Sequence, residues 1–166
     1  MPSTRIPMEA LSGTYYLTFT VRNWYHFFDR YDRFVLLADS VKYCQIHKGL
    51  KVYGYVFMLN HIHLIATAPD MIAFIRDFKK FTSKEMHKSI IANEPDVMAL
   101  FEKDEVGFEF WAKTNMPKAI ESEGYLLQKI SYIQDNPVRK QYVDRPEDWA
   151  WSSANPESEI KIEPAL

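Results

Sequence analysis

The chain has 166 residues, a formal net charge of −2, 47% hydrophobic and 25% charged residues, a balance that fits one globular core. Net negative charge excludes a uniformly basic nucleic-acid binder, so any surface for a polyanion has to be a local patch. The one cysteine, Cys44, excludes an internal disulfide and a cysteine-built zinc site, and reads as a small buried hydrophobe on a helix. No signal-peptide pattern opens the chain and no apolar run is long enough to span a bilayer, so a soluble cytoplasmic protein without a membrane partner is expected. Aromatic residues reach 15% (11 Phe, 10 Tyr, 4 Trp). Part of that excess belongs to a core, and part is available as stacking surface for unpaired bases.

Residues 1–12 carry Pro2 and Pro7 ahead of Gly13 and read as loosely ordered. Thr14–Val21 alternates, with Leu17, Phe19 and Val21 on one face and Tyr16, Thr18 and Thr20 on the other, which predicts a strand. Tyr31–Ile46 places Phe34, Leu37, Val41 and Cys44 at helical spacing, and Gly49 follows as a stop. Lys51–Met58 alternates again, Leu59-Asn60 intervenes, and His61–Ala68 resumes: two strands with a very tight connection, or one kinked strand. Asp70 is placed to cap a helix to about Ile91 that turns Met71, Phe74, Ile75, Phe78 and Phe81 toward the core. After an ambiguous stretch, Phe108–Thr114 reads as a strand. Glu121–Asn136 reads as a helix with Leu126, Leu127, Ile130 and Ile133 as its apolar stripe, stopping before Pro137. Asp144–Ser153 carries Trp149 and Trp151 and is expected to pack back on one domain of residues 1–153. Residues 154–166 are expected to form a flexible C-terminal tail. The element order predicts an α+β fold of the split βαβ kind, an antiparallel sheet with helices packed on one face.

His61-Ile62-His63 is the sharpest chemical feature. On a strand, residues i and i+2 share a face about 6.7 Å apart, so both imidazoles can converge on one ion while Ile62 joins Leu64 and Ala66 opposite. Two ligands do not make a site, and two half-exposed histidines on a sheet is the simpler reading of this pair alone. Tyr132 and Asn136 stand four apart near the end of the last long helix, about 6 Å apart on one face. An amide oxygen can complete a hard-cation site with a tyrosine beside it. Equally, Tyr132 can be core and Asn136 a helix cap.

Arg76, Lys80, Lys84 and Lys88 recur every four residues, a candidate phosphate track or a solvated helix face diluted by Asp77 and Glu85. His26, His47 and His87 have no partner pattern. No Gly-rich phosphate loop, Cys-X-X-Cys pair or Gly-X-Ser-X-Gly elbow is present.

Three blocks together resemble one family. Tyr55-Val56-Phe57-Met58-Leu59-Asn60-His61-Ile62-His63-Leu64 is similar to the Met-Pro-Asn-His-Ile-His-Leu signature of single-tyrosine HUH transposases, in particular the REP-associated tyrosine transposases. Tyr132-Ile133-Gln134-Asp135-Asn136-Pro137-Val138-Arg139 resembles their Tyr-Ile-X-X-Asn-Pro-Val-Lys/Arg block. Pro146-Glu147-Asp148-Trp149-Ala150-Trp151-Ser152-Ser153 resembles their Pro-Glu-Asp-Tyr-X-Trp-Ser-Ser ending. The blocks fall in the family's order, and the likeness spans about residues 14 to 153. The resemblance implies a ferredoxin-like, HUH endonuclease-like sheet with helices, and cleavage of single-stranded, hairpin-forming DNA through a 5′-phosphotyrosine intermediate with rejoining. It implies that His61, His63 and Asn136 hold Mg2+ or Mn2+ and that Tyr132 is the nucleophile. It also leaves open a homodimer. Four positions depart from the family pattern: Leu59 stands for the Pro before Asn-His, Ala112 for Gln after Trp111, Met116 for His before Pro117, and Gln134 for a frequent His.

Tyr125 is a second tyrosine on the same helix, but it lies about 10 Å along the axis from Tyr132, too far to share an ion with Asn136. A phenol is protonated at neutral pH and needs help to attack phosphorus. Neutral imidazole ligands imply activity that falls below roughly pH 6. Three other readings compete. One is a domesticated DNA-hairpin-binding protein of the same fold that no longer cuts, consistent with Ala112, Met116 and Gln134. Another is a hydrolytic metal phosphoesterase that does not need Tyr132. The last is a structural domain with an incidental histidine pair.

Overall fold

A computed structural model describes residues 6–113 and 117–165. In chain order the elements are β1 (Tyr15–Thr20), α1 (Arg33–His47), β2 (Lys51–Phe57), β3 (His61–Thr67) and α2 (Met71–Asn93). There follow three two-residue strands, β4 (Glu102–Lys103), β5 (Gly107–Phe108) and β6 (Lys118–Ala119), and then α3 (Glu123–Gln134) and the single turn α4 (Asn136–Arg139).

The main sheet is antiparallel and four-stranded, in the order β2-β3-β1-β6. β3 slots between β1 and β2, which α1 connects, giving the split βαβ arrangement expected from the alternating patterns. β2 and β3 are two strands and not one kinked one: the Met58 amide donates to the His61 carbonyl at 2.8 Å and closes the connection in a tight turn. α2 starts where the sequence places a cap, the Asp70 carboxylate accepting from the Ala73 amide at 3.0 Å.

Period-two alternation divides the apolar residues between two faces. Leu17, Phe19, Phe57, Ile62, Leu64 and Ala66 face α1 and α2 and join a core that includes Phe27, Phe28, Phe78, Phe101, Phe110 and Trp111. Tyr16, Val56, Met58 and Ile65 face the other way and pack with Leu126 and Ile133 of α3. The α+β sheet with packed helices is as the sequence reads; the structure adds that α1 and α2 share one face while α3 takes the opposite one. Gly54 allows that second layer to sit close, because a Cβ there would stand 3.3 Å from Ile130 Cγ1 and 3.4 Å from Ile133 Cδ1.

Three local expectations change. Phe81 does not enter the core but is 53% exposed; the core position goes to Thr82, which donates to the Phe78 carbonyl and accepts from the Trp111 indole N–H. Phe108–Thr114 is not the fourth strand. Phe110 and Trp111 are buried in succession, which breaks period two, and the stretch contributes only β5 and a bridge from Trp111 to Val21; Thr114 lies outside the described residues. The fourth strand is β6, paired with Tyr15 and Tyr16. The last helix breaks at Asp135, so Asn136 opens α4.

The C-terminal segment is the largest change. Residues expected to be a loose tail run along the sheet: Ile160 is 2% exposed within the core, Glu163 donates its amide to the Val52 carbonyl at 2.7 Å, and the Tyr55 and Ser158 hydroxyls are bonded. Ile160 entering the core, Ile162 packed against it and backbone pairing to β2 outweigh the polar composition that suggested fraying. Among the described residues no helix is long and apolar enough to cross a membrane. Ile160→Ala is expected to destabilise the fold by about 2–5 kcal/mol, the range for truncating a buried Ile. A free tail would give no change in the urea midpoint.

Candidate functional site

His61 and His63 lie on the α3 face of β3, with ring centroids 4.9 Å apart. Their partners across β1 are Thr20 and Thr18. The His63 Nδ1 is 3.0 Å from the Tyr16 hydroxyl and 3.0 Å from the Thr18 hydroxyl, and the Tyr16 ring stacks on the imidazole at 5.4 Å. That leaves Nε2 as the free nitrogen. For His61 the tautomer follows from its neighbour. Asn60 uses Nδ2 to donate to the Trp24 carbonyl at 3.0 Å, so its Oδ1, 2.7 Å from His61 Nδ1, accepts that proton. The lone pair of His61 is therefore on Nε2, and Asn136 Nδ2 stands 3.4 Å from it.

Burial keeps both rings neutral. His61 is pushed down to about 4, first by desolvation and then by Lys140. His63 is pushed down to about 3 by desolvation, then by His61, Arg139 and Lys129. Asn136 is also buried, at 7% exposure. Among the described residues no three His, Cys, Asp or Glu side chains cluster as a metal site. Two neutral imidazoles beside a carboxamide are nonetheless a donor set that suits a divalent cation, with both Nδ1 atoms fixed by outer hydrogen bonds.

Tyr132 is on the last turn of α3, 49% exposed. Two cations flank its ring: Lys129 Nζ at 5.2 Å and the Arg139 guanidinium carbon at 4.2 Å from the centroid. Arg139 also donates to the Tyr132 carbonyl at 2.9 Å, bridging α3 and α4. Lys129 lies over Tyr16 and Tyr125 as well, at 5.2 and 5.4 Å. Lys129, Arg139 and Lys140, together with Tyr16 and Thr18, are the site features that sequence reasoning missed. Tyr16 and Thr18 were visible as the polar face of β1, and Lys129 lies at helical i+3 spacing from Tyr132, but nothing in the sequence set β1 against β3.

The structure does not bring the Arg76, Lys80, Lys84 and Lys88 stripe to this place. All four are exposed on α2, which packs on the opposite face of the sheet, and Arg76 and Lys88 pair with Asp77 and Glu85. Positive charge gathers instead around Tyr132, from Lys129 and Arg139. Of the departing positions, Gln134 donates to Ser153 Oγ at 3.1 Å and holds α3 to the segment after Trp151, while the Ala112 amide donates to the Thr20 carbonyl. Met116 lies outside the described residues.

No family model and no curated protein matches the chain. Among solved structures it is similar in fold to one described as a REP-associated tyrosine transposase bound to a REP hairpin. The TM-score is 0.67 at 16% sequence identity, over 99% of this chain and 96% of that one.

The neutral histidines have a consequence for stability. Between about 6.5 and about 4 the unfolded chain takes up protons that the folded imidazoles refuse. Stability therefore falls as pH drops through that window and is insensitive to these groups above it. Urea unfolding at about pH 7.5 and about pH 5 should show a lower midpoint in acid. The His61→Gln/His63→Gln variant should flatten the difference; an undiminished difference would place the acid sensitivity elsewhere.

Proposed function

We propose that this chain nicks and rejoins single-stranded, hairpin-forming DNA as a tyrosine transposase of the HUH type, close to the REP-associated branch. The observation that carries the reading is the convergence of His61, His63 and Asn136 beside a tyrosine flanked by two cations. The shared fold with a hairpin-bound tyrosine transposase supports it, as do the three sequence blocks.

Mg2+ or Mn2+ held by His61, His63 and Asn136 would supply Lewis-acid polarisation of the scissile phosphate. The Tyr132 oxygen attacks phosphorus, its proton passing to solvent. The bond from phosphorus to the 3′ oxygen breaks, and that oxygen leaves as a 3′-hydroxyl. The strand's 5′ phosphate is then esterified to Tyr132. Because one phosphodiester replaces another, a 3′-hydroxyl can reverse the attack and rejoin DNA without external energy. Lys129 and Arg139 offset charge on the phosphate and the phenolate, and the exposure of Tyr132 leaves room for a strand to reach it. The buried histidines stay neutral as ligands well below neutral pH.

Incubation with Mg2+ or Mn2+ and a labelled single-stranded hairpin should yield a protein–DNA adduct stable to denaturation. Tyr132→Phe should abolish it and leave binding nearly intact, while Tyr125→Phe should retain it. An adduct that survives Tyr132→Phe would mean another nucleophile. Tight hairpin binding with no adduct from the unaltered chain would favour the domesticated binder.

Electrostatics gives a second test. Neutralising Lys129 and Lys140 together should flatten the dependence of log affinity on log salt by up to about two units of slope. The Lys80→Gln/Lys84→Gln pair, on the far face, should leave the slope unchanged; the reverse pattern would route the strand across α2.

A further inference from the structure

We infer that Trp24 is a stacking site for one unpaired nucleobase, presented on the turn that Asn60 ties to His61; this rests on the DNA reading above. The turn after β1 holds two successive residues in the left-handed region, Asn23 at φ 61° and Trp24 at φ 55°. Asparagine tolerates that conformation, but a bulky aromatic rarely adopts it and does so only where its surroundings force it.

The surroundings are explicit. Arg22 donates its amide to the Phe110 carbonyl at 2.8 Å, Trp24 donates its own to Val21 at 3.0 Å, and the Asn23 side chain donates to the Leu100 carbonyl at 2.7 Å. Asn60 donates to the Trp24 carbonyl, and the same amide accepts from the His61 ring. The turn is thus fastened to the imidazole through one side chain. None of this holds the indole in the core: Trp24 is 67% exposed, in a chain whose buried aromatics pack in clusters. A strained backbone that presents a large apolar ring to water has no stability rationale. An exposed aromatic face on a turn tied to His61 through Asn60 does have a binding rationale, because every base offers a π-face.

The test measures binding without cleavage, in chelator, by the anisotropy of a labelled hairpin DNA with a short oligothymidine flank. The unaltered chain and the Trp24→Phe variant should bind within about threefold of each other, and Trp24→Asn should bind about tenfold more weakly or worse. Trp24→Asn should keep or raise the melting temperature, since Asn fits the left-handed turn. Replacing flank thymidines one at a time by abasic residues should find a position that weakens the unaltered chain but not Trp24→Asn.

Unchanged affinity in Trp24→Asn would overturn the assignment, as would the absence of any such abasic position. A large fall in melting temperature would also overturn it by making Trp24 structural. Failure of the unaltered chain to bind any hairpin would instead overturn the DNA reading itself, a result separable from the others because it appears before any substitution is compared.

Discussion

The arrangement depends on β3 being an inner strand with both of its faces covered. An inner strand cannot rotate or slip by one residue without moving its apolar set out of the core. Ile62, Leu64 and Ala66, all fully buried, therefore fix which way His61 and His63 point. With three side chains committed to the α1–α2 face, the imidazoles have only the α3 face left. The tight turn at Met58–His61 and the pairing of Thr18 and Thr20 opposite the two histidines then set their depth and their outer hydrogen bonds. The geometry of the histidine pair is a by-product of core packing on the other side of the sheet.

The α3 face is built differently. Its contact with the sheet is small and rests on a missing side chain at Gly54 and on Leu126 and Ile133. The segment from Trp149 to Ser153 reinforces it. Phe57 donates to the Trp151 carbonyl and Ser153 to that of Tyr55, while the Trp149 indole donates to the Phe57 carbonyl. Gln134 reaches the same Ser153 from the end of α3. The third sequence block is thus a strap that joins the strand edge to the tyrosine helix, so residues far from any chemistry position Tyr132.

Much of this was legible in the sequence because two periods do the encoding. Alternation placed β1, β2 and β3 and put His61 and His63 on one side; helical spacing and Asp70 placed α2 and the last long helix. What stayed hidden required tertiary information. The fourth strand is two residues long, below the reach of any periodicity. The exchange of Phe81 for Thr82 in the core depends on the Trp111 indole needing an acceptor. The basic stripe of α2 is conspicuous in one dimension but in three lies on the face of the sheet opposite His61 and His63. Lys129, Arg139 and Lys140 follow no stripe, and converge only because the helix breaks at Asp135. The docking of the C-terminal segment was hidden because Ile160-Lys161-Ile162-Glu163 alternates over only four residues, among polar neighbours.

The strap and its continuation have one more effect. On the β2 side the outer edge of the sheet is taken up by Trp151, Ser153 and Glu163, and on the β1 side by β6, Ala112 and the Arg22–Phe110 pairing. Exposed strand edges are templates onto which further copies add without limit. The outer sides of β2 and β1 are therefore engaged by these backbone contacts, and the edge left beyond β1 is the two-residue β6. Growth by strand addition along those two strands is thereby discouraged.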